Sequence, residues 1–254
     1  MSKRFFALCL PKSKEHRPML ESLDFSALLK YREPLAWGLI TTLWLTFAAF
    51  AMAIPGGLLL AFGRLRGGPL VNLPVMAFVD LMRFTPLLVQ AVWIHFALPV
   101  LTGVSLSATQ SGLLALTLHV SAYVCDIMRS GITAIPPGQW EAAKALGLPR
   151  RPTFFRVILP QVWPLILPAL SNIAVSTFKL TAILGILAVD DLMKVTNRVN
   201  NIVFRPVEIY TAVALIYLAC GLVLSSIAAR IERRYGFVQT ERPSAVIPKA
   251  QPAL

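Results

Sequence analysis

The sequence predicts an all-α integral membrane protein with five transmembrane helices, its N terminus outside the cell and its C terminus in the cytoplasm. Hydrophobic residues make up 56% of the 254 residues and charged residues only 14%. A soluble domain of this composition would lack the polar surface to cover its core. Five apolar runs are each long enough to cross about 30 Å of hydrocarbon. The formal net charge of +12 lies mainly between and beyond these runs.

The composition disfavours several classes of function. Lys and Arg lie in loops and tails rather than on one soluble face, which disfavours nucleic-acid binding. The three cysteines are far apart and set among apolar residues, so they predict neither a disulfide framework nor a metal site. Titratable residues within the spans are scattered singly, and the sequence has no Gly-rich phosphate loop followed by Lys and Ser or Thr. We therefore expect no catalytic residue, no metal and no cofactor.

The chain divides into three predicted regions. Residues 1–34 combine charged residues with early prolines, and we expect a tail followed by a surface helix lying on the membrane. Residues 35–234 form the transmembrane domain. Residues 235–254 are rich in Pro and Ala, which predicts a disordered C-terminal tail.

The spans are separated by stretches that contain charged residues, prolines or glycines. They are predicted at residues 35–62, 73–101, 108–128, 162–189 and 209–229. The loop after the second span is short and uncharged, whereas the loop after the fourth is polar and of mixed charge. We find no internal repeat, which disfavours a secondary transporter built from duplicated halves.

The charges of the short loops predict the orientation. Arg64 and Arg66, the five basic residues from Arg129 to Arg156 and the basic stretch after Arg230 share one side if the first span runs inward. Basic loops mark the cytoplasmic side. The basic N-terminal tail points the other way, but three internal segments agree. We therefore expect the loop after the third span to lie in the cytoplasm.

That cytoplasmic loop, residues 136–160, is the one polar segment of any length between the hydrophobic runs. Pro137 and Gly138 interrupt the preceding structure, and the run from Gln139 to Leu148 consists almost wholly of good helix formers. Pro149 stops this run. We therefore predict a short helix.

One face of the predicted helix is a smooth shelf of small residues. Ala143 and Gly147 lie four residues apart with Ala142 beside them, so another protein is able to approach closely. Glu141 either pairs with Lys144 one turn on or meets a donor on a partner protein. The alternative interpretation is an amphipathic connector without a partner.

The segment resembles the EAA loop of the membrane subunits of bacterial ATP-binding cassette importers. That pattern is EAA, three residues, Gly, nine residues, then Ile, any residue, Leu and Pro, and Val157 stands at the Ile position. The matching residues are Glu141, Ala142, Ala143, Gly147, Leu159 and Pro160. In that family the loop is a coupling helix that sits in a groove of the ATPase. The docking residues this implies are Gln139, Glu141, Ala142, Ala143, Gly147 and Leu148.

The resemblance narrows to the permeases of polar amino acid importers, of the histidine, glutamine, glutamate and arginine type. It covers about residues 37–234, and the run PGQW directly before Glu141 is its local signature. Further matches are Gly38, Thr42, Leu43, Arg83, Thr85, Pro86, Leu87, Ala122, Tyr123, Asp126, Arg129, Gly131, Ile132 and Gln161. Three departures affect the expected specificity: Phe84 replaces a small residue, Asp126 replaces Glu, and residues 179–182 match only partly.

The resemblance implies the permease subunit of an importer in the bacterial inner membrane, which carries polar amino acids by alternating access and is not itself an enzyme. The implied partners are an ABC ATPase subunit dimer, a second permease subunit, identical or paralogous, and a periplasmic substrate-binding protein. Two alternatives remain: a permease for another small zwitterion such as an opine, and a non-ABC channel or carrier.

Two cations lie within the predicted spans, Arg83 and Lys179. A charge at mid-span costs about 2.5–3.5 kcal/mol on insertion scales, so each is expected either to line a pathway or to pair with a carboxylate. Asp80, about one turn from Arg83, is a candidate partner.

The resemblance places both cations in segments that line the central cavity of the family. Pro86 lacks an N–H, so we expect it to leave the Met82 carbonyl free for an ammonium group or a water. The predicted substrate pathway consists of Arg83, Thr85, Pro86, Lys179 and Thr181.

Overall fold

The protein, seen here in a computed structural model, is described over residues 26–235, and this part of the chain contains helices and no strand. The helices are α1 Ser26–Lys30, α2 Arg32–Arg66, α3 Pro69–Phe84, α4 Leu87–Thr102, α5 Ala108–Thr133, α6 Pro137–Ala145, α7 Arg150–Leu187, α8 Leu192–Val203 and α9 Pro206–Tyr235. Of the predicted N-terminal tail and surface helix, residues 1–25 lie outside the described residues, and so do residues 236–254 of the predicted C-terminal tail.

Four of these helices, α2, α5, α7 and α9, are long and apolar enough to cross a membrane. Helices α3 and α4 are each too short to cross a membrane alone and are long enough only together, and the chain bends by 109° between them. The break falls at Thr85 and Pro86: Thr85 is extended (φ −96°, ψ 140°) and Pro86 follows. A residue before proline avoids the helical conformation. The structure therefore has four continuous candidate spans and one broken one.

Helices α2 and α5 pack closely and run in the same direction. Gly57 allows this approach, because a Cβ there would lie 2.5 Å from Cγ1 of Val124. Gly56 lies against Ser121, and further along both helices Arg64 Nη1 is 2.6 Å from Asp126 Oδ1. Residue numbers thus rise together along the two helices. Two parallel neighbours require the chain between them to return across the bundle.

Helix α4 makes that return, running antiparallel to α5. Gln90 Oε1 is 3.1 Å from His119 Nδ1, and His95 Nδ1 is 3.0 Å from Ser111 Oγ. Helix α7 also opposes α5, because Gly131 packs near Ile166 at one end and Gly112 near Leu184 at the other. The bundle therefore has two ends: the α6 end, with the last turns of α2 and α5, and the α8 end, with their first turns.

Helix α8 lies where the sequence predicts a polar loop. Its apolar residues recur at helical spacing, and Leu192, Val195 and Val199 are buried against Leu35 and Ile209, near the starts of α2 and α9. The prediction of a loop is wrong because overall polarity hid this narrow apolar stripe.

Helix α7 begins at Arg150, well before the span predicted to start at residue 162. Thr153–Ile158 forms widened π-type turns within it. Phe154 and Ile158 are buried, and the rings of Phe154 and Phe62 are 4.8 Å apart. The second half of the predicted loop is thus the buried start of a membrane-crossing helix, because these apolar side chains pack against α2.

Candidate functional site

Residues 136–160, here named the coupling segment after the predicted coupling loop, contain helix α6. This helix begins earlier and ends earlier than the predicted Gln139–Leu148 helix. Pro137 occupies its first turn, where the missing N–H costs nothing. At the other end Gly147 N donates to Lys144 O and Leu148 N to Ala143 O, each at 3.0 Å. This pair of hydrogen bonds is a Schellman motif, which ends a helix with a left-handed residue.

Gly147 supplies that left-handed residue, with φ +70°. It therefore lies beyond the end of α6 and does not share a helical face with Ala143, which corrects the predicted shelf. A Cβ at Gly147 meets no atom within 4 Å. The role of this glycine within the subunit is its backbone conformation and not close packing.

The two alanines of the EAA pattern face different surroundings. Ala143 is only 3% exposed, because α6 packs on the first turns of α7 with this side inward. This is a second correction: within the subunit, Ala143 is a packing residue. Ala142 is exposed. The exposed residues of the coupling segment include Gln139, Glu141, Ala142, Lys144, Ala145, Leu146, Gly147 and Leu148.

A second candidate region is an ion-pair cluster that joins three helices. Asp126 on α5 accepts a hydrogen bond from Arg64 of α2 at 2.6 Å and pairs through its other oxygen with Arg83 at the end of α3. Arg129 Nε is 4.0 Å from the same carboxylate. The expected partner of Arg83, Asp80, is therefore wrong: the guanidinium reaches across to α5.

The break between α3 and α4 is closed by the side chain of Gln90. Its Nε2 donates to Met82 O at 2.8 Å and Thr85 O at 3.0 Å. Thr85 Oγ1 in turn donates to Leu81 O. The Met82 carbonyl that Pro86 leaves without a backbone donor is thus already satisfied by the protein, which corrects the expectation that it awaits an ammonium group or a water.

Lys179 lines a cleft of about 410 Å³ between α5 and α7, here named the Lys179 cleft. Polar groups on its wall include His119 and Tyr123 of α5 and Ser176 of α7. Among residues 26–235, no carboxylate lies within ion-pair distance of Lys179. Its alternative role as a structural ion-pair partner thus has no support within the described part of the subunit.

Arg83 adjoins this cleft through Tyr123, since its guanidinium carbon lies 5.6 Å from the centre of that ring. Thr181 does not line the cleft. Its side chain is fully buried, and its hydroxyl donates to the Phe178 carbonyl at 2.7 Å. Of the predicted pathway residues, Lys179 lines the cleft and Arg83 lies beside it through its contact with Tyr123. Thr85 and Thr181 donate hydrogen bonds to carbonyls of their own helices.

Residues 53–237 match the protein family described as the inner membrane component of binding-protein-dependent transport systems. The chain belongs to this family. It is accordingly an integral protein of the inner membrane, and the predicted family and location are confirmed.

Relatives and a solved structure of this transport family cover most of the chain. The glutamine transport system permease protein GlnP of Escherichia coli K12 is 34% identical over 212 residues, which are 83% of this chain and 97% of GlnP. The arginine ABC transporter permease protein ArtQ of Haemophilus influenzae is 36% identical over 182 residues, 69% of this chain and 82% of ArtQ. The crystal structure of an amino acid ABC transporter with histidines superposes with a TM-score of 0.77 at 34% identity, covering 84% of this chain and 99% of that one.

Sequence reasoning missed three residues of the candidate site in this family member. Arg64 reads as a loop charge, Gln90 as an ordinary polar residue, and Asp126 only as a departure from Glu. A usable signal existed for Asp126, because a carboxylate near the end of an apolar helix needs a cation. Its partners belong to helices distant in sequence, so spacing does not identify them.

Asp191, at the start of α8, is a further buried polar residue. Its Oδ1 accepts a hydrogen bond from Lys194 N at 2.9 Å and caps the helix. Burial raises the pKa of this carboxyl to about 6, and the charge of Asp190 adds to the effect. Asp191 thus titrates near neutral pH at the α8 end of the bundle.

Proposed function

We propose that this chain is the permease subunit of an ATP-driven importer that carries polar amino acids across the bacterial inner membrane. The observation that carries the proposal is the coupling segment: a short helix bounded by Pro137 and Gly147, with Glu141 and Ala142 exposed. Relatives named as glutamine and arginine permeases, at 34% and 36% identity, support the substrate class.

The exposed residues of the coupling segment are the proposed contact with the ATPase dimer. Leu146 is 78% exposed, and such an apolar side chain gains by entering a groove on a partner. Gly147 ends the helix there, and Ala143 holds α6 against α7 from the other side. Displacement of α6 by the ATPase would then be passed to α7 as a rigid movement.

The remaining partners follow from the same proposal. The large exposed apolar surface of the subunit contacts lipid and a second permease subunit, identical or paralogous. A periplasmic binding protein delivers substrate at the α8 end. The N terminus lies outside and the α6 end lies in the cytoplasm, in agreement with Arg150, Arg151 and Arg156 at that end.

The proposed substrate pathway passes through the Lys179 cleft. A zwitterion in a low-dielectric cleft needs a partner for its carboxylate, since an unpaired charge there is costly. Lys179 offers a cation without a carboxylate partner among the described residues, and Arg83 lies at the edge of the cleft. Thr85 and Pro86 influence the substrate pathway through the shape of the α3–α4 break. Thr181 influences it through the conformation of the end of α7.

The docking proposal is tested by Ala142→Arg. A long charged side chain on the exposed side of α6 is expected to reduce retention of the ATPase by more than about tenfold and to abolish ATP-driven uptake, while the permease still inserts. The measurements are copurification with the ATPase and uptake by reconstituted vesicles. Ser105→Arg, an exposed small residue at the α8 end, is the control. Equal ATPase retention in both variants would contradict docking through α6.

A further inference from the structure

The charges around the Lys179 cleft are all of one sign. Lys179 contributes one cation, and Arg83 contributes a second at the Tyr123 edge. Among residues 26–235, no Asp or Glu lines the cleft. A substrate in this cleft therefore meets Lys179 without a carboxylate on the cleft wall to offset its charge.

Asp126, the nearest acid to Arg83, is not free to receive a cation. Both of its oxygens are engaged, one with Arg64 and one with Arg83, and Arg129 Nε approaches to 4.0 Å. Three guanidinium groups surrounding one carboxylate leave a net positive charge of about two. The cluster thus adds to the positive potential beside the cleft.

A second cleft of about 710 Å³ opens further along α7, toward the α8 end, and is also basic. Its walls include Lys194 and Arg198 of α8 together with Ala182 and Gly185, one to two turns beyond Lys179. Arg198 is paired with Asp190 at 2.6 Å, and no acid lines this cleft in the part of the chain that the structure describes. Lys194 therefore adds a cation to this second cleft, whereas the charge of Arg198 is offset by Asp190.

None of the other acids of the described chain, Asp80 on α3 included, lines either cleft. Asp191 is buried as the cap of α8, Glu208 lies 3.7 Å from Arg205, and Glu141 lies at the α6 end. A lysine or arginine substrate carries a side-chain cation, which needs an acid or another acceptor when it leaves water. In the Lys179 cleft the charges of Lys179 and Arg83 would instead repel such a side chain.

We propose that the substrate is an amino acid with an acidic side chain, a dicarboxylate zwitterion, whose two carboxylates are held by Lys179 and by Arg83. The proposal rests on the proposed function and narrows its substrate class. One carboxylate takes Lys179. The other takes Arg83 in competition with Asp126, which acts as an internal counter-ion while the cleft is empty. The ammonium group meets the Tyr123 ring and the hydroxyl of Ser176, both on the cleft wall.

The test measures ligand binding to the full-length permease, purified in detergent with whatever subunits copurify. Radiolabelled L-glutamate is displaced by unlabelled L-glutamate, by its uncharged isostere L-glutamine and by L-arginine. We expect glutamine to be at least about tenfold weaker, because an interaction between opposite charges is replaced by a neutral one. Arginine is expected not to displace the label.

Two variants test whether Lys179 causes the preference for glutamate over glutamine. Lys179→Gln should weaken glutamate binding by about tenfold and change glutamine binding far less, which removes the preference. Lys30→Gln makes the same change of charge on exposed α1, away from the cleft, and should leave the preference intact. Purified yield and melting temperature of both variants report on folding separately from binding.

Four results would overturn the proposal. They are tighter binding of arginine or lysine than of glutamate, equal binding of glutamine and glutamate, an unchanged preference in Lys179→Gln, and binding of none of these amino acids. These results are distinguishable from failure of the proposed function. If the chain is not an importer permease, it fails to retain an ATPase or to support ATP-driven uptake, and the binding measurement depends on neither.

Discussion

One buried carboxyl, that of Asp191 at the start of α8, makes the stability of the folded protein depend on pH. Asp191 is fully buried; its Oδ1 caps α8, whereas its Oδ2 has no hydrogen-bond partner. Burial disfavours the ionised form and raises the pKa to about 6. In the unfolded chain the same carboxyl has a pKa near 3.8. Between about pH 4 and pH 6 the folded state therefore holds a proton that the unfolded state has already released.

Replacing Asp191 with Asn should make the protein more stable at neutral pH and not at acid pH. Below about pH 4 the Asp191 carboxyl is protonated in both states and costs nothing. As the pH rises from 4 to 6 only the unfolded chain ionises, so the free energy of unfolding falls. Asn keeps the cap and does not titrate. We expect Asp191→Asn to gain up to about 3 kcal/mol above pH 6.

Thermal unfolding of the detergent-purified protein from pH 4 to pH 7 measures this difference. Asp190→Asn is the matched control, because Asp190 is exposed and its pair with Arg198 should contribute at most about 1 kcal/mol. A gain for Asp191→Asn that is the same at every pH would contradict the assignment, since the gain must appear as the carboxyl ionises.

Helix α6 shows how an element is defined by its end residues. Pro137 favours the first turn, and Gly147 at φ +70° lets the Schellman motif close the last turn. Between them α6 is held to the bundle mainly by one buried side, which includes Ala143. A short helix gains little from its own hydrogen bonds, so such end residues weigh heavily in its stability.

Gly147→Ala should loosen the end of α6 although there is room for the added methyl group. The left-handed conformation costs an alanine about 1 kcal/mol, and this should speed amide exchange in peptides covering residues 137–148 by about fivefold. Gly147→Asn should have a smaller effect, because asparagine tolerates this conformation. Gly138→Ala serves as the control, since Gly138 has open space and no positive φ. Equal exchange in Gly147→Ala and Gly138→Ala would exclude the backbone role.

At the scale of the whole molecule, the directions of the helices determine the number of crossings. Helices α2 and α5 are parallel, and α4 returns the chain between them despite the 109° bend from α3. Helix α7 opposes α5, and α9 starts beside α2 at the α8 end. This alternation supports five crossings, with α3 and α4 together forming one of them, rather than a re-entrant loop and four.

Single cysteines in a background without Cys9, Cys125 and Cys220 test this count. We expect Gly68→Cys and Ala145→Cys to react only from the cytoplasmic side, and Val104→Cys to react with an impermeant reagent in intact cells. All three positions lie at exposed or open sites. If α3 and α4 instead form a re-entrant loop, positions 68 and 104 share one side and position 145 lies on the other.

Features that depend on local chemistry can be predicted from the sequence alone. Long apolar runs identified the spans, because a membrane-crossing helix needs about 20 apolar residues in succession. Pro86 marks the break in the second span, and Pro137 marks the start of α6, two residues before the predicted start at Gln139. Both signals are local, since proline restricts its immediate neighbours. The spacing of the EAA pattern identified the family.

Which side chains contact one another depends on how the helices pack. Arg83 pairs with Asp126 rather than with Asp80, because packing of α3 on α5 brings the former carboxylate within reach. Ala143 is buried for a similar reason, because α6 packs on the first turns of α7. Contacts between helices distant in the chain follow from how side chains fit together, and sequence separation does not encode that fit.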